Sequence, residues 1–290
     1  MAVSPQSFGS KHTQIKLDTV AKYLNAFVTA LKYQKFRKIY VDAFAGSGAS
    51  TPRVKDKRQL GLNLEEASLI IDGSTRRALQ VSPAFGEYIF IEMLAKNVRS
   101  LAEMVDEFPE RKADVNIVRG DASAELLKFA RYLATQNARS VVFLDPFGLS
   151  IKWEAIVALA ETKKVDLWFL VPVGAMSRQV KNDGRILDQS EQCIDDLWGS
   201  TSWRSIAVAP ADTSNDLFGA IDPTVTKIAK AKEFSDGFRK RLASVFLGGV
   251  AENVLPLGAR GNHEFSLMFA CSNPAASDVA LRLANAVLKQ

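Results

Sequence analysis

Tyr40-Val41-Asp42-Ala43-Phe44-Ala45-Gly46-Ser47-Gly48 is an apolar strand that runs into a carboxylate and then into two glycines one residue apart. Glycine lets backbone N–H groups approach a ligand with no Cβ in the way. A buried strand that ends like this is suited to meeting a ligand at its carboxyl end. Three more apolar runs end in acids, in chain order: Tyr88-Ile89-Phe90-Ile91 in Glu92, Val115-Asn116-Ile117-Val118-Arg119-Gly120 in Asp121, and Val141-Val142-Phe143-Leu144 in Asp145. Successive parallel strands of an open α/β sheet deliver their carboxyl ends to one crevice, where such sheets bind ligands. The four acids are therefore expected together, in a crevice that suits a nucleoside-bearing cofactor.

Outward from this motif the chain alternates. Thr13 to Tyr33 places Ile15, Leu17, Val20, Tyr23, Leu24, Phe27, Val28 and Leu31 at helical spacing, which predicts a helix with one wide apolar face. Strands are expected near 38–44, 87–92, 114–119, 140–145 and 165–172, with helices over Gly73–Val81, Ala95–Phe108, Ser123–Gln136 and Lys152–Glu161. Alternation of this kind implies a doubly wound, mostly parallel, Rossmann-like sheet. Near the end the pattern changes. Val250–Pro256 and His263–Cys271 read as an antiparallel hairpin turning through 257–262, and Ala276–Lys289 reads as a closing helix. One domain, residues 1–290, is expected, with 50–72 and 177–233 as insertions that leave the carboxyl edge and build the substrate side.

Composition narrows the classes. Two cysteines exclude a disulfide framework, and with two histidines no Cys/His metal site is expected. Cys193 and Cys271 read as ordinary buried thiols, and His12 and His263 as structural. Met1–Lys11 lacks the apolar core of a signal peptide, and the longest apolar run, Val165–Met176, is too short to span a bilayer. A soluble, cytoplasmic protein is expected. The net charge of +5 is mild, but basic residues cluster at Arg53–Arg58, Arg76-Arg77, Lys227–Lys232 and Arg239–Arg241. Such runs are usually solvated faces; their recurrence admits a nucleic-acid partner.

The glycine motif discriminates between cofactors. A nicotinamide fold wants Gly-x-Gly-x-x-Gly and an acid about 20 residues later, whereas here Thr51 stands at the third glycine and the next strand-end acid is Glu92. An acid within the motif suits S-adenosylmethionine, whose amino-acid end carries an ammonium for Asp42 to meet. Phe44, Gly46 and Gly48 would shape the turn, Glu92 would bind the ribose diol, and Asp121 the exocyclic amine of adenine. Asp145-Pro146-Phe147-Gly148 is the most reaction-specific element. Proline bends the chain, turning carbonyls toward the cleft. A carboxylate and a carbonyl that accept both N–H bonds of an exocyclic amine would free its lone pair, and Phe147 could stack on the base. The alternative is that Asp145 edges the cofactor or the turn. Lys16 could meet a carboxylate or phosphate, with a surface lysine as the default. Trp198 and Trp203 could stack on bases, although packing of the insertion is the stronger reading.

Many amino-methyltransferases use Asp-Pro-Pro and an aromatic at this place; Asp-Pro-Phe-Gly resembles the version in tRNA guanine-N2 methyltransferases. A wider resemblance is carried by Lys16–Tyr23, the Tyr40–Gly48 motif, Gly73-Ser74 with Ala78-Leu79, Phe90-Ile91-Glu92, Asp145–Gly148, Leu197-Trp198-Gly199 with Trp203, and His263–Ala270. In this order they resemble the three-Cys-motif partner (TcmP) family of bacteria and phages, from about Lys11 onward. Thr75 and Trp198 stand where that family often has proline and phenylalanine. The resemblance implies a class I methyltransferase-like fold and a companion protein that bears the three cysteines of a radical-SAM-like motif. Two functions are thus expected to compete: an S-adenosylmethionine-dependent amino-methyltransferase acting on a nucleobase of DNA or RNA, and a non-catalytic subunit that docks the three-Cys companion.

Overall fold

A computed structural model describes residues 8–50, 71–186, 188–210, 225–258 and 262–289. Helix α1 (Phe8–Ala30) leads into strand β1 (Arg37–Asp42). The first long connection is closed at its base by a short antiparallel pair, β2 (Ala49–Ser50) and β3 (Ile71–Asp72). Residues 51–70, with the Arg53–Arg58 charge run, lie outside the described residues. Then come α2 (Ser74–Leu79), β4 (Glu87–Glu92), α3 (Ala95–Asp106), β5 (Val115–Arg119), α4 (Ala122–Thr135), β6 (Ala138–Leu144), α5 (Trp153–Glu161) and β7 (Val165–Val171). Each expected strand and helix of this stretch is present. The second connection holds α6 (Val173–Gln179), α7 (Asp188–Trp198), α8 (Arg204–Ala207), the antiparallel pair β8 (Val208–Pro210) and β9 (Val225–Lys227), and α9 (Ala231–Ala243). The chain closes with β10 (Leu255–Leu257), β11 (Phe265–Cys271) and α10 (Ser277–Leu288).

Seven strands form one sheet in the order β10-β11-β7-β6-β1-β4-β5. The strands from β7 to β5 pair in parallel, and β11 runs against both β7 and β10. The hairpin is thus antiparallel as expected, but its first strand is shorter than Val250–Pro256. Val250 makes only an isolated bridge to Ala270. Asn253 explains the difference: its backbone N–H donates to Asn285 Oδ1 (2.9 Å) and its side chain to Asn285 O (3.2 Å), so α10 takes hydrogen bonds that a longer ladder would use.

Helices cover both faces. On one, α1, α2, α3 and α10 pack over Tyr40, Tyr88, Phe90, Phe143, Trp168 and Phe269. On the other, α4 through α9 pack over Ile39, Val41, Val142, Leu144, Leu167 and Phe169. The alternation along β1, with Ile39 and Val41 on one side and Tyr40 on the other, is the period-two pattern of a strand buried on both faces. Helix α1 buries Val20, Tyr23, Leu24, Phe27 and Val28, and its Tyr23 hydroxyl donates to Asp166 Oδ2 on β7 at 2.7 Å. No helix among the described residues is long and apolar enough to cross a membrane.

Candidate functional site

Strand β1 ends in the middle of the sheet, and its ladder continues one step further on each side. Ala43 N–H donates to Phe143 O (3.1 Å) and Ala45 N–H to Ile91 O (3.0 Å). Held on both sides, the chain has to turn sharply, and Gly46 (φ +62°) and Gly48 (φ +77°) both take left-handed backbone, which glycine adopts without a Cβ clash. The two face different things. A Cβ on Gly46 would meet nothing within 4 Å, whereas one on Gly48 would stand 2.9 Å from Met104 Cε. Gly48 therefore lets α3 close on the turn, and Gly46 leaves bare backbone at the cleft.

Asp42 lies fully buried beneath that turn. Its Oδ1 accepts from Phe44 N–H at 3.2 Å, and the Tyr40 hydroxyl is 3.5 Å from Oδ2. Burial pushes the carboxyl up to about 6, although the Ser74 side chain and Phe44 N–H hydrogen bonds pull it back; Asp145 raises it and Lys16 lowers it. Asp42 thus shapes the glycine turn from below, and it carries an incompletely compensated charge.

Glu92 and Asp121 come together as their sequence order predicts. Glu92 is 4% exposed, and its Oε1 accepts from Leu94 N–H at 2.7 Å. Among the described residues no donor meets its other oxygen. Asp121 caps α4, with Oδ1 accepting from Ala124 N–H at 3.0 Å. Capping leaves its carboxylate exposed at the strand end. A cavity of about 260 Å³ lies between them, bordered also by Phe44, Leu94, Phe147 and Ser150. Met93 and Leu94 are both more than half exposed on its rim.

Asp145 follows β6, with its side chain 31% exposed. Pro146 is buried, Phe147 is 64% exposed, and Gly148 turns the chain at φ +63°. Phe147 borders the same cavity as Glu92, a position the sequence reading did not give it. Lys16 follows the first of its two readings, a carboxylate partner, and not the default. It is 9% exposed, not a surface lysine, and its Nζ is ion-paired with Asp145 Oδ2. The signal was available: Lys16 precedes Val20 by four residues and Tyr23 by seven, so it sits on the apolar stripe of α1.

The remaining candidates settle elsewhere. Trp198 and Trp203 are core residues, packed on Phe234 and Phe238 of α9; Trp203 Nε1 donates to Asp195 at 2.6 Å. Lys227 turns inward to the Ser177 carbonyl, and burial lowers its pKa. Lys232 pairs with Asp236, Arg76 with Glu107 and Arg77 with Asp18, while Arg241 lies over the Trp153 ring. Much of the positive charge outside 51–70 is therefore answered locally. Cys271 is buried as expected, but Cys193 is exposed on α7, because that helix turns Ile194, Leu197 and Trp198 inward instead. His263 Nε2 is 2.7 Å from Ser266 Oγ, which donates to Ser235 Oγ (2.8 Å).

No protein-family profile matches the sequence, and no curated protein does. Solved structures do match in fold. Protein LPL1258 of Legionella pneumophila aligns over 97% of this chain and 92% of its own, at 14% identity and a TM-score of 0.50. PH1948 of Pyrococcus horikoshii, described as a candidate RNA methyltransferase, aligns over 87% and 84% at 14% identity (TM-score 0.34). An O-methyltransferase family protein of Burkholderia thailandensis aligns over 89% and 58% at 13% identity (TM-score 0.33). A doubly wound sheet whose second-last strand in space is reversed is the deciding feature. The fold is of the class I methyltransferase type.

Proposed function

We propose that this chain binds S-adenosylmethionine at the carboxyl edge of the sheet and methylates an amino group of a nucleobase in DNA or RNA. The observation that carries the reading is the cavity of about 260 Å³ with Glu92 and Asp121 on its wall and Ala43 and Phe44, which lead into the open Gly46 turn, on its border. These residues fit the cofactor's parts. Glu92 offers an unpartnered carboxylate oxygen to a ribose diol, Asp121 an acceptor to the adenine amine, and Phe44 apolar contact to the ring. Gly46 gives bare backbone to the amino-acid end, whose ammonium is drawn toward the buried charge of Asp42.

The bound cofactor supplies an electrophilic methyl group on a sulfonium. Asp145 and a carbonyl of the Asp145–Pro146 turn accept the two N–H bonds of the acceptor amine and hold its lone pair free. The surplus proton leaves the nitrogen through Asp145 to water. A base lifted out of its stack would find the exposed ring of Phe147 at the mouth of the site.

The resemblance to the TcmP family implies the same fold and adds a three-Cys companion as a partner in the rival, non-catalytic reading. Calorimetry with S-adenosylmethionine separates the two. Binding at micromolar cofactor, with methylated nucleosides that appear only in cells expressing the protein, supports the enzyme. Lack of binding at millimolar cofactor transfers the assignment to the docking subunit.

A further inference from the structure

Lys16 of α1 meets Asp145 just past the carboxyl end of β6, and Asp42 lies buried at the carboxyl end of the neighbouring strand β1. Lys16 is on Asp145, and both lie close enough to Asp42 to move its ionisation in opposite directions. The group therefore holds two carboxylates and one ammonium. With Lys16 on its Oδ2, Asp145 offers an acceptor amine only Oδ1 and a charge already neutralised. Lys16, for its part, is a buried cation that acts on Asp42 beneath the glycine turn, and a zwitterionic amino-acid end would lie at that turn.

We infer that Lys16 is a partner-exchanging latch: it leaves Asp145 for the α-carboxylate of the cofactor's amino-acid end, so that cofactor binding releases Asp145 for the acceptor. The inference rests on the cofactor reading above. The charges suit the exchange, because the incoming ammonium meets an aspartate as the incoming carboxylate meets Lys16, and the net charge of the group is unchanged. The means is local as well. A lysine ammonium is a point charge with three donors on a flexible four-carbon stem, so it can change partners with α1 fixed on the sheet by Tyr23 and Val20. Lys16 is thus a positioning residue for Asp145, and acceptor binding follows cofactor binding.

The test needs no acceptor. The full chain is titrated by calorimetry with S-adenosylhomocysteine, which has the α-carboxylate, and with 5′-methylthioadenosine, which lacks the amino-acid end. Lys16→Met is expected to weaken S-adenosylhomocysteine by roughly ten- to a hundredfold, the scale of one charge-assisted hydrogen bond, and to leave methylthioadenosine unchanged. Asp145→Ala is then made in both backgrounds. With Lys16 present it removes the competitor, so S-adenosylhomocysteine binds several-fold tighter relative to the effect of the same change in Lys16→Met. Equal losses for both ligands in Lys16→Met would mark the lysine as structural and overturn the latch. So would an Asp145→Ala effect that is the same in both backgrounds. If wild type binds neither ligand, the cofactor reading itself has failed and the latch falls with it; if wild type binds both and the differentials are missing, only the latch has failed.

Discussion

Asp42 should make this protein's stability depend on pH in a way that one substitution reveals. Burial raises its carboxyl from 3.8 to about 6, so between these values the folded protein binds a proton that the unfolded chain does not. Stability from this group is complete below the unfolded value of 3.8 and is lost as pH rises through about 6. At about 1.4 kcal/mol per tenfold, the whole effect is roughly 3 kcal/mol, and about two-thirds of it falls between pH 4.5 and 7.5. Asp42→Asn cannot ionise. It can still accept from Phe44 N–H, and whatever it loses toward Tyr40 and Ser74 is largely a constant offset. Urea unfolding of both proteins across this range should therefore show the variant gaining about 2 kcal/mol on wild type as pH rises. A gap that stays constant with pH would mean that Asp42 titrates alike folded and unfolded, and the idea of a costly buried charge awaiting a cation would be wrong. Calorimetry in buffers of different ionisation enthalpy adds a second reading, since binding of an ammonium should release a proton from Asp42 near pH 6.

Glu92→Ala should cost roughly 1.5–3 kcal/mol of cofactor affinity, read as a ten- to hundredfold rise in Kd with the melting temperature little changed. Gly46→Ala and Gly48→Ala should each cost about 1–2 kcal/mol for a Cβ on left-handed backbone, but Gly48→Ala should destabilise further because its Cβ meets Met104 at 2.9 Å, whereas that of Gly46 enters open space and should act chiefly on binding; paired titration and thermal melts distinguish them. Asp145→Ala should retain cofactor binding, tightened several-fold as Lys16 is freed, while methyl transfer falls by about 10²–10⁴, and unchanged turnover would make the Asp-Pro-Phe-Gly turn mere architecture. Trp203→Ala should cost about 3–5 kcal/mol in denaturant unfolding, where a base-stacking tryptophan would have lowered nucleic-acid affinity instead.

The sheet was legible because its strands are buried on both faces and read as short apolar runs with glycines and acids at their ends. Glu92 and Asp121 share a wall because parallel strands leave them no other place. Lys16 was not legible by type: a lysine is priced as a surface residue, and only the helical phase it shares with Val20 and Tyr23 betrayed it. Trp198 and Trp203 show the converse: their type made packing the stronger reading, and both are core residues. What they pack on, Phe234 and Phe238 of α9, lies more than thirty residues further along and has no local signature. The short first strand of the hairpin failed for a similar reason, because Asn253 is claimed by Asn285, a partner more than thirty residues away.

Helix α1, which carries Lys16 to the sheet, packs beside α10, the last helix of the chain. On the ribosome the first of these is made long before the second. Until α10 and β11 emerge, the flank of α1 that holds Tyr23 and Phe27 lacks its Phe269 and Ala280 cover. The glycine turn and the strand-end acids belong to segments made earlier, whereas this flank of α1 gains its cover only once β11 and α10 follow. A nascent chain would therefore have the residues of the Glu92–Asp121 wall before the full packing of the helix that carries Lys16, and the two would mature at different moments of translation.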